Sequence, residues 1–145
     1  MAWTSDLLTG AAEYLAAAGV GVWSPTGTYT DTDTGIVIGR MPATPDRAIV
    51  LALYDVDTTS LSHVLAGLQV RCRGPRTSDP RPVSDLADAV YEALHGAQHV
   101  TLGGVRVPLI WRQSHAWIGA DDNRREETAS NFYLHAGRPS AHVND

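Results

Sequence analysis

The sequence predicts an α+β domain: a mostly antiparallel sheet with two helices packed on one face. Three observations predict it. Apolar residues recur at helical spacing in two stretches, near the start and past the middle of the chain. Apolar runs and clean alternations of strand length lie between and after those stretches. The resulting order, helix, strands, helix, strands, lacks the regular strand–helix alternation of a parallel sheet. The 145 residues are expected to form one domain over positions 1–145. A chain of that size can bury a core without disulfides or metals.

Residues 5–19 read as the first helix. Thr4 or Ser5 is the expected N-cap, Asp6 lies in the first turn and Gly19 closes the helix. Leu7, Leu8, Ala11, Ala12, Leu15 and Ala18 form its apolar stripe. Gly21 to Trp23 reads as a short extended piece, and Pro25 to Gly35 as turns. Ile36 to Ile38 is a short strand. Ala48 to Tyr54 (AIVLALY) is continuous and apolar, which predicts a central buried strand. Asp55 to Ser62 reads as a polar loop.

Gly67 to Arg73 alternates, with Leu68, Val70 and Cys72 facing one way and Gln69, Arg71 and Arg73 the other. Gly74 to Pro82 reads as a linker. The second helix is expected from about Val83 or Ser84 to His95, on Leu86, Val90 and Leu94. Gly103-Gly104 between two alternating runs predicts a hairpin. Its second strand is expected to reach about Gln113, with Val105, Val107, Leu109 and Trp111 on one face. Pro108 makes it an edge strand, or bulged or broken there. His115 to Ser130 shows no periodicity and reads as a long polar loop. Asn131 to Ala136 is the last strand, and a flexible tail is expected from about 137.

Composition narrows function. The chain is 43% hydrophobic and 19% charged, which excludes disorder along its whole length. No run approaches 18 apolar residues, so no membrane span is expected. Met1 to Gly21 has no basic region, and Asp6 and Glu13 interrupt its apolar stretch, so no secretory signal is expected. All eleven bases are Arg; against sixteen acids they leave a charge of −5. That balance is poor for sequence-independent DNA binding, which needs phosphates neutralised. The single cysteine, Cys72, allows no internal disulfide and fits a reducing compartment.

No catalytic set or metal site assembles. The six histidines show neither HExxH nor an i, i+4 pair on one helix. Asp31 to Gly35 has the opening of a calcium loop but lacks its closing Glu, so it reads as a turn. Cys72 sits on the apolar face of a strand, where a thiol is an inert filler. Ser114 and His115 are strand neighbours that point apart. There is no GxSxG and no phosphate-binding glycine loop. The expectation is no enzyme, no cofactor and no metal.

What remains is surface. Arg71, Arg73, Arg106 and Arg112 lie opposite the expected core positions of their strands, so one sheet face would carry a row of guanidinium groups. The acids gather on the second helix and around Asp31, Asp55 and Asp121. Asp121, Asp122, Arg124, Arg125 and Glu126 read as local ion pairs in a solvated loop. Unlike patches on one subunit suit head-to-tail contact between copies. A tryptophan left exposed in a single subunit is an interface candidate, and Trp117 joins the set.

The runs LQVRCRG, DPRPVSDLADAVYEALHG, GGVRV with IWRQS, and IGADDNRREETASNFYL resemble, in that order, bacteriophage minor capsid proteins of the tail terminator type. Siphophages of actinobacteria are the nearest in character, and the absence of Lys agrees with such a host. The resemblance runs from MAWTSDLLTGAAEYLAAAGVG to the last strand. It implies a subunit that forms a ring, usually six-fold, in the neck of the virion. Such a ring caps the head-proximal end of the tail tube, stops its polymerisation and presents a surface to the head connector. The implied partners are further copies, the tail tube protein and the connector or stopper protein. Assembly would take place in the host bacterial cytoplasm. On this sequence the resemblance falls on the Arg71 and Arg73 strand and on the Gly119 to Glu127 loop.

DNA would pass the channel without specific binding, and a wall with more carboxylates than arginines fits the net charge. A head-completion or stopper protein is the neighbouring alternative. A small-ligand module or unrecognised enzyme is another, and a closed pocket with convergent polar groups would favour it.

Overall fold

The computed structural model describes residues 2–143. Helix α1 spans Trp3–Ala17. It starts earlier than the sequence predicts, with Ala2 at the cap and no side-chain cap, so Thr4 and Ser5 lie inside the first turn. Its end is as expected. Gly19 has φ 78°, and the amides of Gly19 and Val20 donate back to the carbonyls of Ala16 and Leu15. Helix α2 spans Arg81–Leu94 and also starts early, with Pro82 in its first turn, where a missing N–H costs nothing. Val83, Ala87, Val90 and Leu94 form its buried stripe, and Leu86 is half-buried.

Seven strands form one sheet: β1 (Val22–Trp23), β2 (Gly35–Ile38), β3 (Ala48–Asp57), β4 (His63–Arg76), β5 (Gln98–Leu102), β6 (Val105–Ala120) and β7 (Arg125–Gly137). Their order is β1-β2-β3-β4-β7-β6-β5. The β1–β2 and β2–β3 pairs are parallel; all others are antiparallel. Both helices pack on one face, over a core that runs from Ile36 and Ile49 through Leu68, Val70 and Cys72 to Phe132 and Leu134. Helix α1 touches strands from both flanks, β1 to β3 and β5 to β6, so the sheet curls around it. The α+β architecture is therefore the expected one.

The largest departure lies at His115 to Ser130. The sequence reads as a loop there, but the chain forms the ends of β6 and β7, joined by a short turn at Asp121 to Arg124. The physical reason is a strand whose alternation is reset three times. Val105 and Val107 face the core, then the phase inverts at Pro108, so that Ile110 faces it instead. Leu109 and Trp111 lie opposite His135 and Tyr133, on the other face, which corrects the expected stripe. Register shifts follow between Arg112 and Ser114 and between Trp117 and Gly119. Each bulge swaps the faces, so no period-2 pattern survives.

Strand β4 likewise runs from His63 to Arg76, absorbing the start of the expected linker. Its faces alternate as predicted, and so do those of β7 from Asn131 to Ala136. Beyond Gly137, Ser140 and Val143 form an isolated bridge. The last two residues of the expected tail, Asn144 and Asp145, lie outside the described residues.

Candidate assembly surface

The predicted row of arginines does not exist. Arg71 and Arg73 do share the helix-free face of β4, but both are engaged. Arg71 Nη2 donates to Glu127 Oε1 at 3.0 Å across the β4–β7 pair. Arg73 is 2% exposed, and its guanidinium donates to the carbonyls of Asp46 and Pro45, each at 2.8 Å. Burial first, then the nearby Arg125 charge, lowers the pKa of Arg73. Arg106 is exposed at the β5–β6 end. Arg112 lies on the helix side instead, opposite Phe132, where its guanidinium sits 4.4 Å above the Tyr91 ring.

The acidic and basic residues at the β6–β7 turn are not a solvated loop either. Arg125 is 6% exposed. Its Nε donates to Asp121 Oδ2 at 2.8 Å, and its Nη1 to Ala43 O at 2.8 Å and Asp46 Oδ1 at 3.1 Å. Arg76 Nε reaches the same Asp46 oxygen at 3.2 Å. Asp121 Oδ1 also accepts the amides of Asn123 and Arg125, each at 2.9 Å. Partial burial raises the pKa of Asp46 and Asp121, but hydrogen bonds from Arg76 and Arg125 to the first, and from Arg125 to the second, outweigh it. Both carboxyls end below the ordinary carboxylate range. These bonds fasten the loop at 39–47 and the end of β4 to the tip of the hairpin. Asp122 and Arg124 alone of this group point to solvent, Arg124 with φ 60° in the turn. Glu126 is buried on the helix side, with no hydrogen-bond partner for Oε2.

Trp117 is 60% exposed, and Ile118 beside it 56%. Strand β5 ends opposite Leu109, so β6 from Gln113 to Ala120 has a strand neighbour on one side only. Sequence reasoning found Trp117 but missed Ile118; two bulky apolar residues in a polar stretch were the available signal. It also missed Asp46, the hub of the arginine network, for which the sequence holds no local sign. Cys72 is buried, and burial pushes its thiol up to about 12, with a small opposing effect of Thr128. His115 Nδ1 lies 2.7 Å from Ser130 Oγ, between neighbouring strands β6 and β7. Among the described residues no three His, Cys, Asp or Glu side chains gather as metal ligands. The hollow lined by Ala18, Gly19, Val20, Ala89, Glu92 and Ala93 is open to solvent and holds one carboxylate.

A family model described as bacteriophage tail terminator protein matches residues 14–137. The chain belongs to that tail terminator family. The match takes in α2, every strand from β1 to β7 and the residues of the arginine network, and begins near the end of α1. No curated protein matches the terminator sequence. A solved structure does share its fold: a chain of the virion of a native gene transfer agent (GTA) particle, with TM-score 0.62 at 15% identity, over 94% of this chain and 99% of that one. The terminator is thus a structural protein of the phage tail and of the virion. Among the described residues no helix is long and apolar enough to cross a membrane.

Proposed function

We propose that this terminator closes into a ring, six-fold in the manner of its family, on the head-proximal end of the tail tube. There it ends tube polymerisation and offers its far side to the head connector or stopper. The observation that carries the reading is the β6–β7 hairpin, which leaves Trp117 and Ile118 exposed beside a free strand edge. A single subunit has no use for such an apolar edge, whereas an assembling one buries it. The arginine network supports the same reading, because it holds the hairpin tip rigid before any partner arrives. The structural virion relative of the same fold agrees with work done by contact and not by bond chemistry.

DNA passes such a ring without specific binding, and the charge of −5 suits a channel wall with more carboxylates than arginines. The test is electron microscopy of tails made with and without the gene. Tails of uncontrolled length in its absence are the expected result. Tails of normal length that fail to join heads would overturn termination and move the protein to the connector side of the neck.

A further inference from the structure

We propose that the His95 imidazole is a proton-sensitive catch between helix α2 and the edge of β6. The neutral ring holds the Arg112 amide, and the protonated ring releases it. The device belongs to a single subunit and does not rest on the ring reading.

It is built from the way α2 ends. His95 caps the helix in an extended conformation, with ψ 123°, and its amide donates to Tyr91 O at 2.8 Å. The chain then joins the sheet: the Gly96 amide donates to Ile110 O at 2.8 Å, and the Ile110 amide to Ala97 O at 3.0 Å. Amides on one side of a strand recur at every second residue, so the next donor along that edge is Arg112. It donates to His95 Nδ1 at 3.0 Å. A side chain thus takes the place that a backbone carbonyl holds one step earlier. An imidazole nitrogen that accepts a hydrogen bond carries no proton, so the ring is neutral with its hydrogen on Nε2. Protonation sets N–H against N–H, and the bond is lost. Beyond this point β6 has no strand neighbour on that side, so release lengthens the open edge back to Arg112.

The surroundings sharpen the response. The His95 and Tyr91 rings stack at 4.5 Å, 14° from parallel, and the Arg112 guanidinium lies 4.4 Å over the same Tyr91 ring. A charged His95 therefore adds a second cation beside Arg112. From β6 His115 also faces this seam, its own pKa lowered by burial first and then by Arg112, with Asp88 opposing. Asp88 and Glu92 share one side of α2 with Tyr91 and His95 by their spacing and are the acids there. Phe132, opposite Arg112 on β7, and Ala18 and Gly19 at the end of α1 carry no charge. His99 lines a separate hollow with Arg106. His95 is exposed, so protons reach it. An imidazole changes charge between about pH 5 and 8. The catch is closed on the alkaline side of that range and opens as pH falls through it.

Nuclear magnetic resonance of the isotope-labelled full chain tests this. Long-range proton–nitrogen spectra at about pH 7.5 should show the His95 proton on Nε2. Exchange of the Arg112 amide, relative to free peptide at the same pH, should speed up about fivefold or more between about pH 7.5 and pH 5. The Gly96 and Ile110 amides should keep their protection. His95→Asn, which offers an oxygen in place of Nδ1 and does not titrate, should hold the Arg112 amide at both pH values. His95→Phe, which keeps a ring on Tyr91 but no acceptor, should leave it open at both. Circular dichroism confirms that the variants fold. A proton on Nδ1 at about pH 7.5 would overturn the catch, and so would an Arg112 amide whose protection ignores pH. The same pH response in His95→Asn would assign it to another group, and its loss in His115→Gln would assign it to the His115–Ser130 pair. Either result overturns His95 as the catch.

Discussion

Arg125 is almost fully buried and still charged, so its neighbours decide its effect on stability. Removing it leaves the Asp121 carboxylate with backbone amides alone and Asp46 with Arg76 as its one guanidinium partner. Arg125→Ala should cost about 3 kcal/mol in urea denaturation, while Arg124→Ala, exposed, should stay within about 0.5 kcal/mol. The pH dependence has a definite sign. Asp46 and Asp121 have folded-state pKa values below the unfolded value of 3.8. Their contribution is fully present above that value and is lost as pH falls through the lower folded values. Stability should therefore drop on the acid side of about pH 4, and the drop should be shallower in Arg125→Ala. Cys72 gives a second residue-level expectation. A buried thiol with a pKa near 12 should resist disulfide reagents at pH 8 and react only as denaturant unfolds the chain, with the same midpoint as circular dichroism. Cys72 as inert filler was legible from its place in an alternating strand. The role of Arg73 was not: alternation gives its face, but the carbonyls that bury it come from Pro45 and Asp46, far away in sequence.

Elements that obey one period were legible. The strand from Gly67 to Arg73 and the strand from Asn131 to Ala136 keep period 2, and both helices keep their apolar stripe. Strand β6 changes phase near Pro108, near Gln113 and near Ile118, so its second half has no pattern to find. Another feature of the elements is backbone approach. A methyl group on Gly10 of α1 would meet the Gly103 amide nitrogen at 2.1 Å and the Leu102 carbonyl carbon at 2.4 Å. The helix thus lies directly on the β5–β6 hairpin, and neither backbone can give way. Gly10→Ala should destabilise by about 3 kcal/mol despite its better helix propensity. Gly104→Ala, at φ 80° with open space around it, should cost only about 1 kcal/mol. Thermal unfolding of the pair measures the difference. The hairpin turn was visible as two adjacent glycines; the helix resting on it was not.

For the whole molecule, the decisive property is what one copy leaves unburied. Trp117→Glu should leave the stability of the single subunit within about 0.5 kcal/mol, because the side chain is exposed. Tails carrying it should still run to uncontrolled length, as without the gene. Loss of folding instead, seen by circular dichroism, would make Trp117 part of the core. By itself the sequence determined the α+β class, the two helices, the buried strands, the inert cysteine and the terminator family, because these rest on local periodicity, composition and the order of motifs. Only the tertiary structure decided which arginines are free, that the polar stretch is a hairpin, and that Trp117 and Ile118 stand exposed on a strand with a neighbour on one side only. Those facts depend on strand order, bulges and contacts between residues distant along the chain, and such contacts leave no period in the sequence.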